Sequence, residues 1–146
     1  MYQVTFLPIV AAALANVIVG MIWYNPYVFG GAWMRLSGMT PEQVERGRRR
    51  MPIHALAGFL ASILIAYVMS YFGVAWGVFD GVGALQLAFW CWIGFSAPVL
   101  LNSVIWEQRP FRLYLINAIY WLVAFMVMAL ALLYVPMLFP VAQASM

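Results

Sequence analysis

Four long stretches without a formal charge constrain this chain more than any other feature. They run approximately Val4–Tyr24, Ile53–Ala75, Val82–Trp106 and Leu113–Phe139, and none contains Asp, Glu, Lys or Arg. Each reaches the roughly 20 residues that a helix needs to cross about 30 Å of hydrocarbon. Inside a bilayer the backbone must satisfy its own hydrogen bonds, so only helices and closed barrels can span it. The apolar runs are continuous rather than alternating, which favours helices over a barrel. With 67% hydrophobic and 8% charged residues, against about a quarter charged in soluble domains, the chain cannot cover a soluble surface. The expected fold is all-α: a four-transmembrane-helix bundle in one domain, with a short helical segment in the loop 25–52.

The charges that remain set an orientation. Arg35, Glu42, Glu45, Arg46, Arg48, Arg49 and Arg50 lie between the first and second stretches, and Glu107, Arg109 and Arg112 between the third and fourth. Asp80 stands alone between the second and third. With four spans the first and third loops share a side, and together they hold all seven arginines. The positive-inside rule then puts those loops in the cytoplasm and both termini, with Asp80, outside. It also accounts for the net charge of +3 without nucleic acid. Arg35, Arg48, Arg49, Arg50, Arg109 and Arg112 are candidates for contact with anionic lipid head groups.

Local signals fill in the loops. Thr40-Pro41-Glu42-Gln43 reads as a capping box with proline at the first helical position. A short helix is expected to follow, its acids near the positive end and Arg48–Arg50 near the negative one. Ahead of it Phe29–Leu36 reads as an amphipathic piece lying in the interface. Pro110 suits the first turn of the fourth helix. No positive segment precedes the first apolar run, so it reads as an uncleaved helix. Cys91 is the only cysteine, permits no internal disulfide and is expected to pack.

The run Trp23-Tyr24-Asn25-Pro26-Tyr27-Val28-Phe29-Gly30-Gly31-Ala32-Trp33-Met34 is followed by Ser37-Gly38-Met39-Thr40. Later come Asn102-Ser103-Val104-Ile105-Trp106-Glu107 and Leu113-Tyr114-Leu115-Ile116-Asn117-Ala118. Together, over nearly the whole chain, these resemble the bacterial domain-of-unknown-function family numbered 1761, small four-helix membrane proteins. The resemblance implies a four-span bacterial inner-membrane protein and carries no catalytic residues.

A polar side chain in lipid is costly unless it has a partner or a task, so depth matters. Asn16, His54, Asn102, Ser103, Glu107 and Asn117 fall at similar depth near the arginine-bearing side, whereas the opposite half holds Gln86 and little else. Small residues recur every four positions: Ala12, Asn16 and Gly20; His54, Gly58, Ser62, Ala66 and Ser70; Gly94, Pro98 and Asn102. Such stripes allow close helix approach, and Pro98 is expected to bend its helix by removing a bond to the Gly94 carbonyl. If the stripes face one another, Asn16, His54, Asn102 and Asn117 converge in a pocket with Glu107 at its mouth. The competing reading is that the asparagines only join helices and His54 caps the second one. The aromatics, among them Tyr2, Trp23, Tyr24, Trp33, Trp106, Tyr120 and Trp121, read mainly as interfacial belts.

One histidine and one cysteine cannot build a zinc or paired-histidine haem site. No phosphate loop or nucleophile elbow is present. No enzymatic activity, cofactor or metal is expected. The functional expectation is a homo-oligomeric channel, carrier or ligand-binding protein using that pocket, contacting membrane lipids. Its alternative is an accessory or structural subunit of a larger membrane complex.

Overall fold

The computed structural model describes residues 4–139, so Tyr2 and the two terminal segments lie outside the described residues. Helix α1 covers Phe6–Trp23; a π-helical turn at Pro26–Gly30 leads into α2, Gly31–Ser37; α3 is Pro41–Arg49 and α4 is Met51–Ala75. Helix α5, Gly81–Cys91, passes through a second π-helical turn at Trp92–Ser96 into α6, Ala97–Ile105, and α7 is Phe111–Leu138. The fold is all-α among the described residues. Four helices are long and apolar enough to cross a membrane: Phe6–Trp23, Met51–Ala75, Gly81–Ile105 and Phe111–Leu138. They begin and end within two residues of the uncharged stretches.

The connections follow from their residues. Thr40 and Gln43 form both halves of the capping box, with Pro41 first in α3. Across the next turn Arg49 meets Glu45 at 3.2 Å. Helix α2 ends on Gly38, whose φ of 65° is a left-handed conformation that glycine adopts without a Cβ clash. The Asp80 carboxylate accepts from the Gly83 amide at 2.8 Å, capping α5. Pro110 occupies the capping position of α7 rather than its first turn, because its ψ of 136° is extended. The residue preceding it by two, Gln108, takes a φ of 54°.

Helix α7 is the hub: it packs on α1, α4, α5 and α6, while α1 also packs along α4. The core joins Ala12, Ala66, Ala84, Ala88 and Ala129, whose short side chains bring the helices close, with Met69, Leu87, Met128, Leu132 and Leu133 between them. Cys91 lies in the same core. Burial fails at the arginine-bearing end, where Met51 through Gly58 of α4 are all exposed. Of α6 only Ala97 is buried.

The second π-helical turn has a packing consequence. The buried run Ala84, Leu87, Ala88 and Cys91 continues at Ala97, because the Ala97 amide reaches five residues back to the Trp92 carbonyl. The wide turn rotates the following helix relative to a regular 3.6-residue register. The bend expected at Pro98 therefore takes the form of a π-helical turn just before it.

Helix α3 makes a simple test of the caps. Hydrogen bonding from its own backbone amide, and then from the Thr40 hydroxyl, holds the Glu42 carboxyl below its ordinary value of 4.5. A lowered folded-state value means the contribution is present above pH 4.5 and is lost as pH falls through the lowered value. Amide exchange corrected for intrinsic rate should show residues 41–49 opening on acidification, and Glu42→Gln should remove that acid dependence. Thr40→Ala should open the same segment at neutral pH, by about 1 kcal/mol.

Candidate functional site

A buried amide in the middle of an apolar helix joins the helices of this fold. Asn16 is 3% exposed, and a buried amide costs free energy unless its donors and acceptor are used. Its Nδ2 donates to the Ser62 hydroxyl of α4 at 2.8 Å. The Ser62 hydroxyl donates in turn to the Gly58 carbonyl, at 2.8 Å. On the other side the Tyr120 hydroxyl of α7 donates to Asn16 Oδ1 at 2.9 Å. One side chain thus joins three helices. Gly20 makes room for it, since a Cβ there would lie 3.2 Å from the Tyr120 hydroxyl. Among the described residues no buried side-chain nitrogen or oxygen lacks a partner.

A second set of bonds lies one turn nearer the arginine-bearing end. Tyr24, which closes α1, donates its hydroxyl to Asn117 Oδ1 at 2.9 Å. Trp23 donates its indole N–H to the Ile116 carbonyl at 3.2 Å. The rings of Tyr24 and Tyr120 are 5.0 Å apart, so the two sets touch.

The segment after Tyr24 explains its own unusual sequence. Asn25 Oδ1 accepts from the Tyr27 amide at 3.0 Å, and Pro26 starts the π-helical turn that the Gly30 amide closes on the Asn25 carbonyl at 3.0 Å. A Cβ on Gly30 would overlap the Tyr24 carbonyl. The chain folds back so that Phe29 meets Trp23 at 4.4 Å and Trp33 meets Tyr24 edge-on at 5.8 Å. These aromatics serve as a clamp on the end of α1. Tyr27 is the outlier, 98% exposed.

Of the residues singled out from sequence, the structure brings together Asn16, Ser62 and Gly20, with Asn117 reached through Tyr24. It does not bring in the others. His54, Asn102 and Glu107 are exposed, so a single enclosed pocket of Asn16, His54, Asn102 and Asn117 is not formed by this chain. Glu107 stands 3.8 Å from Arg109, both exposed. Ser103 donates to the Leu100 carbonyl of its own helix at 2.8 Å.

Ala66 is buried as a packing residue, but Gly58 and Gly94 have open space where a Cβ would be, and Pro98 is exposed. The reason for the last two is the π-helical turn, which directs Gly94, Pro98 and Asn102 outward. Arg35, Arg48, Arg50 and Arg112 are exposed. Arg109 ties the two arginine-bearing loops together by donating to the Ser37 carbonyl at 2.9 Å. Tyr24 and Tyr120 are the residues that sequence reasoning missed. Their only signal was proximity to Asn25-Pro26 and the three-residue spacing of Tyr120 from Asn117.

Chemically the seam offers amides and hydroxyls that bond one another, which suits holding helices in register rather than transferring protons. Tyr120→Phe should cost about 1–2 kcal/mol, leaving Asn16 Oδ1 buried without a donor. Adding Asn16→Leu should cost less than the sum of the singles, as read by unfolding in detergent. Gly30→Ala should be worse than either and should disturb tryptophan emission from Trp23 and Trp33, because backbone must move.

A search of curated proteins and a search of solved structures each returned no match. A family model described as "Protein of unknown function (DUF1761)" matches residues 7–133, a span that includes the seam residues Asn16, Ser62 and Tyr120 and the Trp23–Trp33 clamp. The chain belongs to that family.

Proposed function

We propose that this chain is a four-pass bacterial inner-membrane protein that works as a homo-oligomer, its copies joined through the outer face of α6. The arginine-bearing loops lie in the cytoplasm, where Arg35, Arg48, Arg49, Arg50, Arg109 and Arg112 meet anionic head groups. The observation that carries the assembly is Asn102. Its side-chain amide is exposed, has no hydrogen-bond partner among the described residues, and follows exposed Gly94 and Pro98 at four-residue spacing; Ser103, the other polar side chain of α6, bonds its own backbone. A face of small residues with one amide is what a second apolar helix packs on and bonds to. The interior supports the same reading, because Asn16, Ser62 and Tyr120 already use one another.

A polar pocket near the arginine-bearing side then forms between copies, with His54, Asn102 and Glu107 contributed from the outer surfaces. A channel, carrier or ligand-binding role belongs to that assembled seam, and no catalytic residue is assigned.

Native mass spectrometry of the full chain released from lipid nanodiscs should find more than one copy. Gly94→Leu and Asn102→Leu should each shift it toward the monomer without lowering the unfolding temperature of the Asn16 seam. A monomeric wild type across the accessible concentration range would overturn the homo-oligomer. If that monomer co-purified with a larger complex, the accessory-subunit reading would replace it. For topology, single cysteines placed at Arg48 and Asp80 in a Cys91→Ala background should be labelled by an impermeant reagent from opposite sides.

A further inference from the structure

At the end away from the arginines, the turn between α4 and α5 borders a cavity of about 520 Å³, lined by Trp76, Phe79, Gly83, Gln86, Leu87 and Trp90 among others. That lies within the range of small-molecule sites, which run about 300–1,000 Å³. Both indoles are more than half exposed, at 58% and 60%, and both are held by neighbouring rings. Trp76 stacks on Phe72 with centroids 6.0 Å apart, and Trp90 meets Phe89 edge-on at 5.6 Å. The side-chain amide of Gln86, one turn from Trp90 on the same helix, has no hydrogen-bond partner among the described residues.

Charge selects the ligand. Asp80 is not itself a lining residue, but its carboxylate accepts from the amide of one, Gly83, at 2.8 Å, and it follows another, Phe79, in the chain. Among the described residues the ion pairs are Arg49 with Glu45 and Arg109 with Glu107, which leaves Asp80 without a cation. A helix start attracts an anion, and here that carboxylate already fills it. A carboxylate beside exposed indole faces is the chemistry that holds an alkylammonium group, by charge and by cation–π attraction. The amide of Gln86 and the indole N–H groups supply donors for an adjacent phosphate.

We propose that this cavity receives the head group of a zwitterionic membrane lipid: the ammonium between Asp80 and the indoles, the phosphate at Gln86. The lipid source follows from place. The cavity lies at the turn connecting two apolar helices, and three of its α5 lining residues, Gly83, Gln86 and Trp90, each directly follow an exposed apolar residue, Val82, Leu85 and Phe89, that can meet acyl chains. The inference rests on the membrane reading above but not on the oligomer.

The test uses the full chain labelled with 5-fluorotryptophan in detergent micelles, with the Trp76 and Trp90 resonances assigned by Trp→Phe variants. Titration with short-chain phosphatidylethanolamine should shift both resonances, and phosphatidylglycerol should bind at least tenfold more weakly. Asp80→Asn keeps a side-chain oxygen for the cap and removes the charge; it should weaken phosphatidylethanolamine at least tenfold with helix content unchanged. Equal response to both lipids, no response of the two indoles, or an unaffected Asp80→Asn would overturn the proposal. Free ethanolamine binding as well as the lipid would overturn its lipid source. Carbonate extraction of the same chain from membranes is scored separately, so a failure of the membrane reading is told apart from a failure of the site.

Discussion

The buried Asn16 amide is the constraint around which the helices arrange themselves. Apolar side chains hold apolar helices together without specifying how far one slides past another, since many registers bury similar area. An amide donor and acceptor in the same place are less permissive. Asn16 needs a hydroxyl acceptor from α4 and a hydroxyl donor from α7, and Ser62 and Tyr120 provide them. Slipping either helix by one turn would leave the amide buried and unpaired, which costs more than the bonds contribute when made. The alanines of the core then become useful in one register only, where Ala12, Ala66 and Ala129 sit together.

The same logic extends to the end of α1. Tyr24 can bond Asn117 only if the chain turns sharply after it, and the turn requires a cap at Asn25, a rigid φ at Pro26 and no side chain at Gly30. Trp33 and Phe29 return against Tyr24 and Trp23 as a result. Trp23, Tyr24, Asn25, Pro26, Phe29, Gly30 and Trp33 therefore act as one device, with the exposed Tyr27 side chain standing outside it.

Much of the fold was legible because long apolar runs and a capping box carry their physics locally. Length alone locates the four helices, and Thr40, Pro41 and Gln43 announce α3 without tertiary help. The site was legible by half. Asn16 and Asn117 stood out as polar groups at a common depth and Ser62 as part of a small-residue stripe, but their partners Tyr24 and Tyr120 did not, since tyrosines near helix ends have an ordinary interfacial explanation. The Gly94, Pro98 and Asn102 stripe misled for a different reason. Four-residue spacing predicts a shared face, not which way that face points, and the turn at Trp92–Ser96 set it outward. A change in helical register has no composition signature beyond the proline that follows it.

A molecule whose interior polar groups are mutually satisfied must do its recognition on its surface. The two ends then differ in what they can recognise. One gathers every arginine, with Arg109 fastening two loops so that their charges act as one patch. The other carries one carboxylate without a cation among the described residues, on the turn that also bears two exposed aromatic residues of the cavity wall, Trp76 and Phe79. On the proposed topology the first end meets anionic head groups and the second ammonium-bearing ones, so each leaflet is addressed by the charge it answers. The outward face of α6 is left between them, neither charged nor satisfied. In the proposed assembly a second copy covers that face and bonds its exposed Asn102 amide.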